Sequence, residues 1–134
     1  MIRLKSLYFT LDVPLYNYSC LFVLGYDRSN AARIVQRLGG SDEMIEFVRT
    51  LKRCKGVTSE DGTTGKFLIY MEDLPVLAFQ HGTLVHELFH LVEQVLDRVG
   101  MKHEIFVSSE AYAYLLGQIT ADALHKLWKS IYFQ

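Results

Sequence analysis

Cysteine, proline and long apolar runs are all scarce in this chain of 134 residues. Its two cysteines, Cys20 and Cys54, form no metal-binding or redox motif, so we expect reduced thiols in a cytoplasmic protein. No apolar stretch reaches the roughly 20 residues that a membrane-spanning helix needs. Near the start, Asp12 and Pro14 interrupt the apolar segment that a signal peptide would require. The sequence therefore predicts no membrane as partner.

An excess of charge of one sign is also missing, because 14 Lys and Arg stand against 15 Asp and Glu, for a net charge of -1. This balance argues against nucleic acid or an anionic membrane as the main partner. Hydrophobic residues make up 50% of the chain, which is enough for one core at this length. We predict a single domain, residues 1–134, and the pattern indicates no particular oligomeric state.

Strand and helix signals follow one another along the chain. The sequence predicts strands at 4–11, 18–24, 66–71 and 105–107, helices at 29–38, 41–51, around 86–90 and at 110–129, and a turn or loop at 59–65. Ser29 and Ser41 are the expected helix caps, and Gly39 and Gly100 the expected terminators. Hairpin and meander strands followed by segregated helices favour an α+β fold with a small mixed sheet.

The segment His86-Glu87-Leu88-Phe89-His90 is followed, after nineteen intervening residues, by Glu110. Residues four apart lie on one face of a helix, so His86 and His90 can direct two ring nitrogens at one zinc ion. Glu110 is the expected third ligand if its helix packs beside the first. Glu87 is then available to take a proton from a metal-bound water as general base. These residue types predict a zinc-dependent hydrolase.

The same residues allow other interpretations. Glu93 lies on the histidine face, but three ligands from one straight helix span about 10 Å, too far for metal bonds of about 2 Å. We interpret Glu93 as a residue that orients a ligand or is solvated. A di-iron site is excluded because it requires a second Glu-x-x-His pair. The simplest alternative is that the histidines are ordinary residues of an exposed helix.

Three further predictions concern the surroundings of this motif. Hydrolysis needs a donor to the developing oxyanion, for which we predict Tyr114, with His103 and His81 as alternatives. The strand at 66–71 is either an edge on which an extended substrate pairs or an ordinary interior strand. Gly117 indicates close packing of the last helix on the motif helix, or is merely tolerated.

The motif His86-Glu87-Leu-Phe-His90 with Glu110 resembles the zincin metallopeptidases, in particular the gluzincin branch typified by thermolysin. The resemblance covers roughly residues 66–120 and implies a minimal zincin-like domain, with zinc ligands at His86, His90 and Glu110 and a general base at Glu87. The run that begins at Glu110 (Glu-Ala-Tyr-Ala-Tyr) is similar to small single-domain zincins of phages and mobile elements. One departure is Tyr114, which stands where the thermolysin pattern has an aspartate that orients the first histidine.

The predicted function is therefore a zinc metallopeptidase that hydrolyses a peptide or protein substrate with a metal-activated water. The alternative is a catalytically silent zincin-fold protein that acts by binding a protein partner. Retention of Glu87 favours the enzyme, because a purely structural zinc site needs four closed ligands and no base. A metal-dependent hydrolase of a non-peptide amide is a third possibility that the residues do not separate from the first.

Overall fold

The computed structural model of the protein describes residues 4–62, 64–104 and 107–132. Its strands and helices, in chain order, are β1 (Leu7–Asp12), β2 (Ser19–Leu24), α1 (Arg28–Arg37), α2 (Asp42–Arg49), β3 (Gly56–Glu60), β4 (Lys66–Met71), α3 (Ala78–Arg98) and α4 (Ser109–Tyr132). Apart from β3, each of these elements corresponds to a predicted one, and the predicted α+β class is confirmed.

The four strands form one mixed sheet in the order β1-β2-β4-β3. β1 and β2 make the predicted antiparallel hairpin, β2 and β4 run parallel, and β3 returns antiparallel to β4. In both central strands every residue after the first is buried. Such continuous apolar runs are typical of strands that are covered on both faces.

Helices cover both faces of this sheet. Alternate residues of the central strands point to opposite sides, so both faces present apolar side chains to helices. Phe22 and Ile69 pack with the apolar side of α3 and α4 on one face. Leu21, Val23 and Leu68 pack with α1 and α2 on the other. The helix that carries the histidines thus lies against the sheet, and it contacts β3 and β4.

The third strand and its neighbour require two corrections. The segment 59–65 was predicted as a turn or loop, but Ser59 and Glu60 belong to β3, a five-residue strand at the sheet edge. Its short, polar sequence lacks the alternating apolar residues that identify a strand. The alternative of 66–71 as an exposed edge strand is wrong, because β4 lies between β2 and β3. Its five buried residues, Phe67 to Met71, fit an interior strand.

The helix boundaries follow local chemistry. Asp27, rather than the predicted Ser29, caps α1 by accepting a hydrogen bond from Asn30 N. Ser41 caps α2 as predicted, through its bond from Met44 N. Gly39 and Gly100 end their helices with φ of 84° and 82°, a conformation that favours glycine.

Two predictions remain from the second half of the chain. The short strand at 105–107 lies mostly outside the described residues, and Val107 is in a turn. Gly117 does not approach α3, since it is exposed and a Cβ added there would meet nothing within 4 Å. Within the described ranges, no helix combines the length and apolar character that crossing a bilayer requires.

Candidate active site

The two histidines of the motif converge on the open side of α3. The opposite side of this helix is buried through a stripe that includes Leu84, Leu88, Leu91 and Val95. His86 and His90, one turn apart, bring their Nε2 atoms to 3.1 Å from each other. Their rings stand almost perpendicular, at 85°, with centroids 4.7 Å apart. The predicted pairing of the two imidazoles is therefore present.

Glu93 fixes the orientation of the second histidine. Its Oε1 lies 3.0 Å from His90 Nδ1, and both side chains are about half exposed. Because a carboxylate accepts only, the neutral ring that makes this bond carries its proton on Nδ1 and keeps the Nε2 lone pair directed at His86. Glu93 thus orients a potential ligand, one of the two roles considered for it from the sequence.

Glu87 differs from the histidines in being buried, with 6% of its surface exposed. Thr58 Oγ1, on β3, lies 2.8 Å from Glu87 Oε1 and 3.0 Å from the Glu87 carbonyl oxygen. The other carboxylate oxygen, Oε2, lies 4.0 Å from His86 Nε2. Glu87 therefore sits between the edge strand and the histidine pair.

A glycine allows this close approach of strand and helix. A Cβ added at Gly56 would lie 3.1 Å from Glu87 Cγ and 3.2 Å from Thr83 Cγ2. Neither Gly56 nor Thr58 was identified from the sequence. The only signal that could have found them is their position in a short polar strand, and that strand was itself missed.

Two open cavities flank the histidine pair along α3. One, of about 470 Å³, is lined by Gly56, Phe79, His86 and Glu87 among others. The other, of about 460 Å³, borders His90 and Glu93 and is also lined by Asp97, His103 and Tyr112. Two larger cavities, of about 570 and 590 Å³, surround the start of α1 and include none of the motif residues.

Glu110 and Tyr114 are placed differently from the histidines. Glu110 lies in the first turn of α4, as predicted, but its side chain is exposed. Tyr114, one turn further on, is 57% exposed. The core side of α4 is formed instead by a stripe that begins with Tyr112 and Leu115. Glu110 and Tyr114 thus lie on the solvent side of their helix, and neither lines the two cavities beside the histidines.

Tyr112 is the tyrosine of the Glu-Ala-Tyr-Ala-Tyr run that reaches the second cavity. Its hydroxyl donates to the Met101 carbonyl oxygen at 3.2 Å, and its ring lies 4.6 Å from that of His103. Burial raises the pKa of Tyr112, and the negative charges of Glu93 and Asp97 raise it further. Tyr112 rather than Tyr114 lies on the buried side of α4, because the helical period puts Tyr112 on one face with Leu115 and Ile119.

The described residues supply two converging imidazoles and an adjacent buried carboxylate. Within them, no group of three or more His, Cys, Asp or Glu side chains is arranged to hold a metal ion. Two nitrogen donors and one potential proton acceptor are thus in place, while Glu110 is not grouped with them. Imidazole nitrogens are a donor type that transition metals accept, and a carboxylate beside them is the type of group that takes up a proton.

Comparison with known proteins gave no match of the chain to a protein-family model, to a curated protein or to a solved structure.

Proposed function

We propose that this protein is a zinc-dependent metallopeptidase in which His86 and His90 hold the ion and Glu87 acts as general base. The observation that carries the proposal is the convergence of the two Nε2 atoms, 3.1 Å apart, with His90 Nδ1 already engaged by Glu93. Metal-binding histidines almost always direct their second ring nitrogen to a carboxylate, a carbonyl or water in this way.

The spacing of the histidine nitrogens fits one ion. Two nitrogen ligands bound to zinc at about 2.0–2.1 Å with a tetrahedral angle lie about 3.4 Å apart. The Nε2 atoms of His86 and His90 lie only slightly closer than this. Small rotations of these two partly exposed rings would close the difference. The donor set of the pair therefore fits zinc, and Glu110 stays the proposed third ligand on the strength of the resemblance alone.

The chemistry assigned to the chain centres on Glu87. When bound, zinc supplies a Lewis acid that polarises a carbonyl group and lowers the pKa of a coordinated water to about 7. Glu87 Oε2 lies on the His86 side of the carboxylate, and this position supports the proposed role of Glu87 as proton acceptor. The carboxylate is then able to return this proton to the leaving amine. Tyr114 would act as oxyanion donor only after a change in position.

A peptide is the proposed substrate because of the strand beside the motif. β3 is an edge of the sheet, and within the described part of the chain its outer side pairs with no strand. An extended peptide added there would gain main-chain hydrogen bonds and pass along the cavities on either side of the histidines. From the sequence, this role was one of two alternatives for residues 66–71, the other being an ordinary interior strand.

The binding-protein alternative is favoured by one specific observation. Glu110 and Tyr114 lie on the exposed side of α4, so the described geometry lacks a third ligand and an oxyanion donor. In this alternative the chain acts by contacting a protein partner. For either function we propose the cytoplasm as compartment, since both cysteines are free.

Elemental analysis of the purified protein tests the proposal, with His90→Ala and Glu110→Ala measured in parallel. We expect one zinc per chain in the wild type and none in His90→Ala. Loss of zinc in both variants supports His86, His90 and Glu110 as the ligands. Loss of zinc in His90→Ala alone assigns the third ligand position to a residue other than Glu110. Absence of zinc in the wild type after incubation with zinc chloride would refute the metallopeptidase.

Glu87→Ala separates the enzyme from the binding protein. We expect this variant to keep its zinc and to lose hydrolysis of a fluorogenic casein. Turnover that persists at the wild-type level would exclude Glu87 as the base.

A further inference from the structure

We infer that Thr58 is a positioning residue, which holds the Glu87 carboxylate in the orientation that faces the histidine pair. The inference rests on the proposed function, because it assigns a role to Glu87 within that site. Thr58 is not part of the histidine motif and lies 29 positions before Glu87 in the chain. The contact exists only because β3 and α3 pack together.

The hydrogen bond has a defined direction. A carboxylate has no proton to donate when ionised, so the Thr58 hydroxyl is the donor at 2.8 Å to Oε1. The Glu87 carbonyl oxygen, at 3.0 Å, competes for the same proton. One hydroxyl therefore contacts both the backbone and the side chain of Glu87. This restricts the rotation of the side chain about its own axis.

The two carboxylate oxygens of Glu87 therefore have different surroundings. Oε1 is engaged by Thr58, and Oε2 remains on the side of His86. Without the hydroxyl, this buried carboxylate would lose the hydrogen bond from Thr58 and would be free to turn toward Lys55, which lines the same cavity.

Burial strengthens this argument. Glu87 is only 6% exposed, so water replaces a lost donor poorly. The backbone holds the donor in place as well, because Thr58 pairs with Ile69 of the interior strand β4. Gly56, two residues earlier on the same side of β3, leaves the space that brings strand and carboxylate together.

The test uses Thr58→Val, which keeps the shape of the side chain and removes the hydroxyl, and Thr58→Ser, which keeps the hydroxyl. Ser59→Ala serves as matched control, because Ser59 is the next residue of β3 and points to the other face of the sheet. With fluorogenic casein as probe, we expect Thr58→Val to lower kcat about tenfold with little change in KM. Thr58→Ser should restore most of the loss, and Ser59→Ala should match the wild type.

A second readout does not depend on catalysis. The melting temperature of the metal-free protein is measured for the wild type, Thr58→Val, Glu87→Ala and the double variant. We expect Thr58→Val to lower the melting temperature by about 3–5 °C in the wild type, and by clearly less when Glu87 is absent. Equal losses in both backgrounds would overturn the inference, because Thr58 would then stabilise the fold without acting on the carboxylate.

The two proposals fail in different ways. A wild type that binds no zinc and cleaves no casein refutes the metallopeptidase, while the melting cycle still decides whether Thr58 acts on Glu87. Full activity in Thr58→Val, with zinc bound and casein cleaved, refutes the positioning role and leaves the metallopeptidase standing.

Discussion

In the proposed zinc site, removal of Glu93 should weaken metal binding although Glu93 is not a proposed ligand. Its Oε1 lies 3.0 Å from His90 Nδ1, a distance typical of a hydrogen bond to a charged acceptor. Carboxylates that orient a ligating histidine typically contribute 10–100-fold to metal affinity. The side chains of His90 and Glu93 are 44% and 46% exposed, so solvent screens part of the interaction. We therefore expect the lower end, about tenfold, for Glu93→Ala.

Isothermal titration of the metal-free protein with zinc chloride measures this effect. Glu93→Gln retains an acceptor for the Nδ1 proton and loses the charge, so its affinity should fall between those of the wild type and Glu93→Ala. Asp122→Asn is the matched control, because it removes an equal charge from α4 and leaves the histidines untouched. Zinc affinity in Glu93→Ala equal to that of the wild type would refute the orienting role of Glu93.

Three other predictions concern the fold. Arg98→Ala should lower the free energy of unfolding by about 2 kcal/mol in urea denaturation, because Arg98 donates to the Asp61 and Gly62 carbonyl oxygens at 3.0 and 2.8 Å. An unchanged urea midpoint would contradict this prediction, and Arg98→Lys should recover only part of the lost stability. Gly117→Ala should stabilise α4 by about 1 kcal/mol since nothing crowds a Cβ there, whereas Gly100→Ala, at φ 82°, should destabilise the protein. Thermal unfolding compares the two variants, and a lower melting temperature for Gly117→Ala than for the wild type would contradict the first prediction. Burial, with the charge of Glu72 adding to it, raises the pKa of Tyr70 to about 12. The stability linked to this shift is fully present below the pKa of tyrosine in the unfolded chain, about 10, and is lost as the pH rises through 12. The wild type should therefore lose stability more steeply than Tyr70→Phe over that pH interval in urea titrations.

Much of the fold could be predicted because its helices and interior strands carry strong local signals. β4 was placed within its observed bounds, since an unbroken apolar run between turn residues has few other interpretations. Ser41 and the two terminating glycines act through bonds to near neighbours, so their effect is visible in the sequence. Asp27 replaced Ser29 as cap for a similar local reason, because both residue types are good caps and only geometry selects between them.

The candidate site was predictable only in part. The spacing of His86 and His90 fixes their relation, because both belong to one helix. Thr58 was not predictable, since its contact with Glu87 depends on which strand lies at the sheet edge, and that is a property of the whole topology. The choice of Tyr112 over Tyr114 was not predictable either, because it depends on which side of α4 is buried against the rest of the fold.

The position of β3 has a consequence for local stability. This strand is five residues long and, among the residues that the structure describes, is bonded to a neighbouring strand on one side only. Edge strands of this kind exchange their amide protons through small openings that leave the remaining fold intact. Such an opening would separate Thr58 from Glu87 while the histidine pair, which belongs to a single helix, stays assembled. Hydrogen exchange should therefore reveal two levels of protection within one site, lower in β3 and higher in the core of α3.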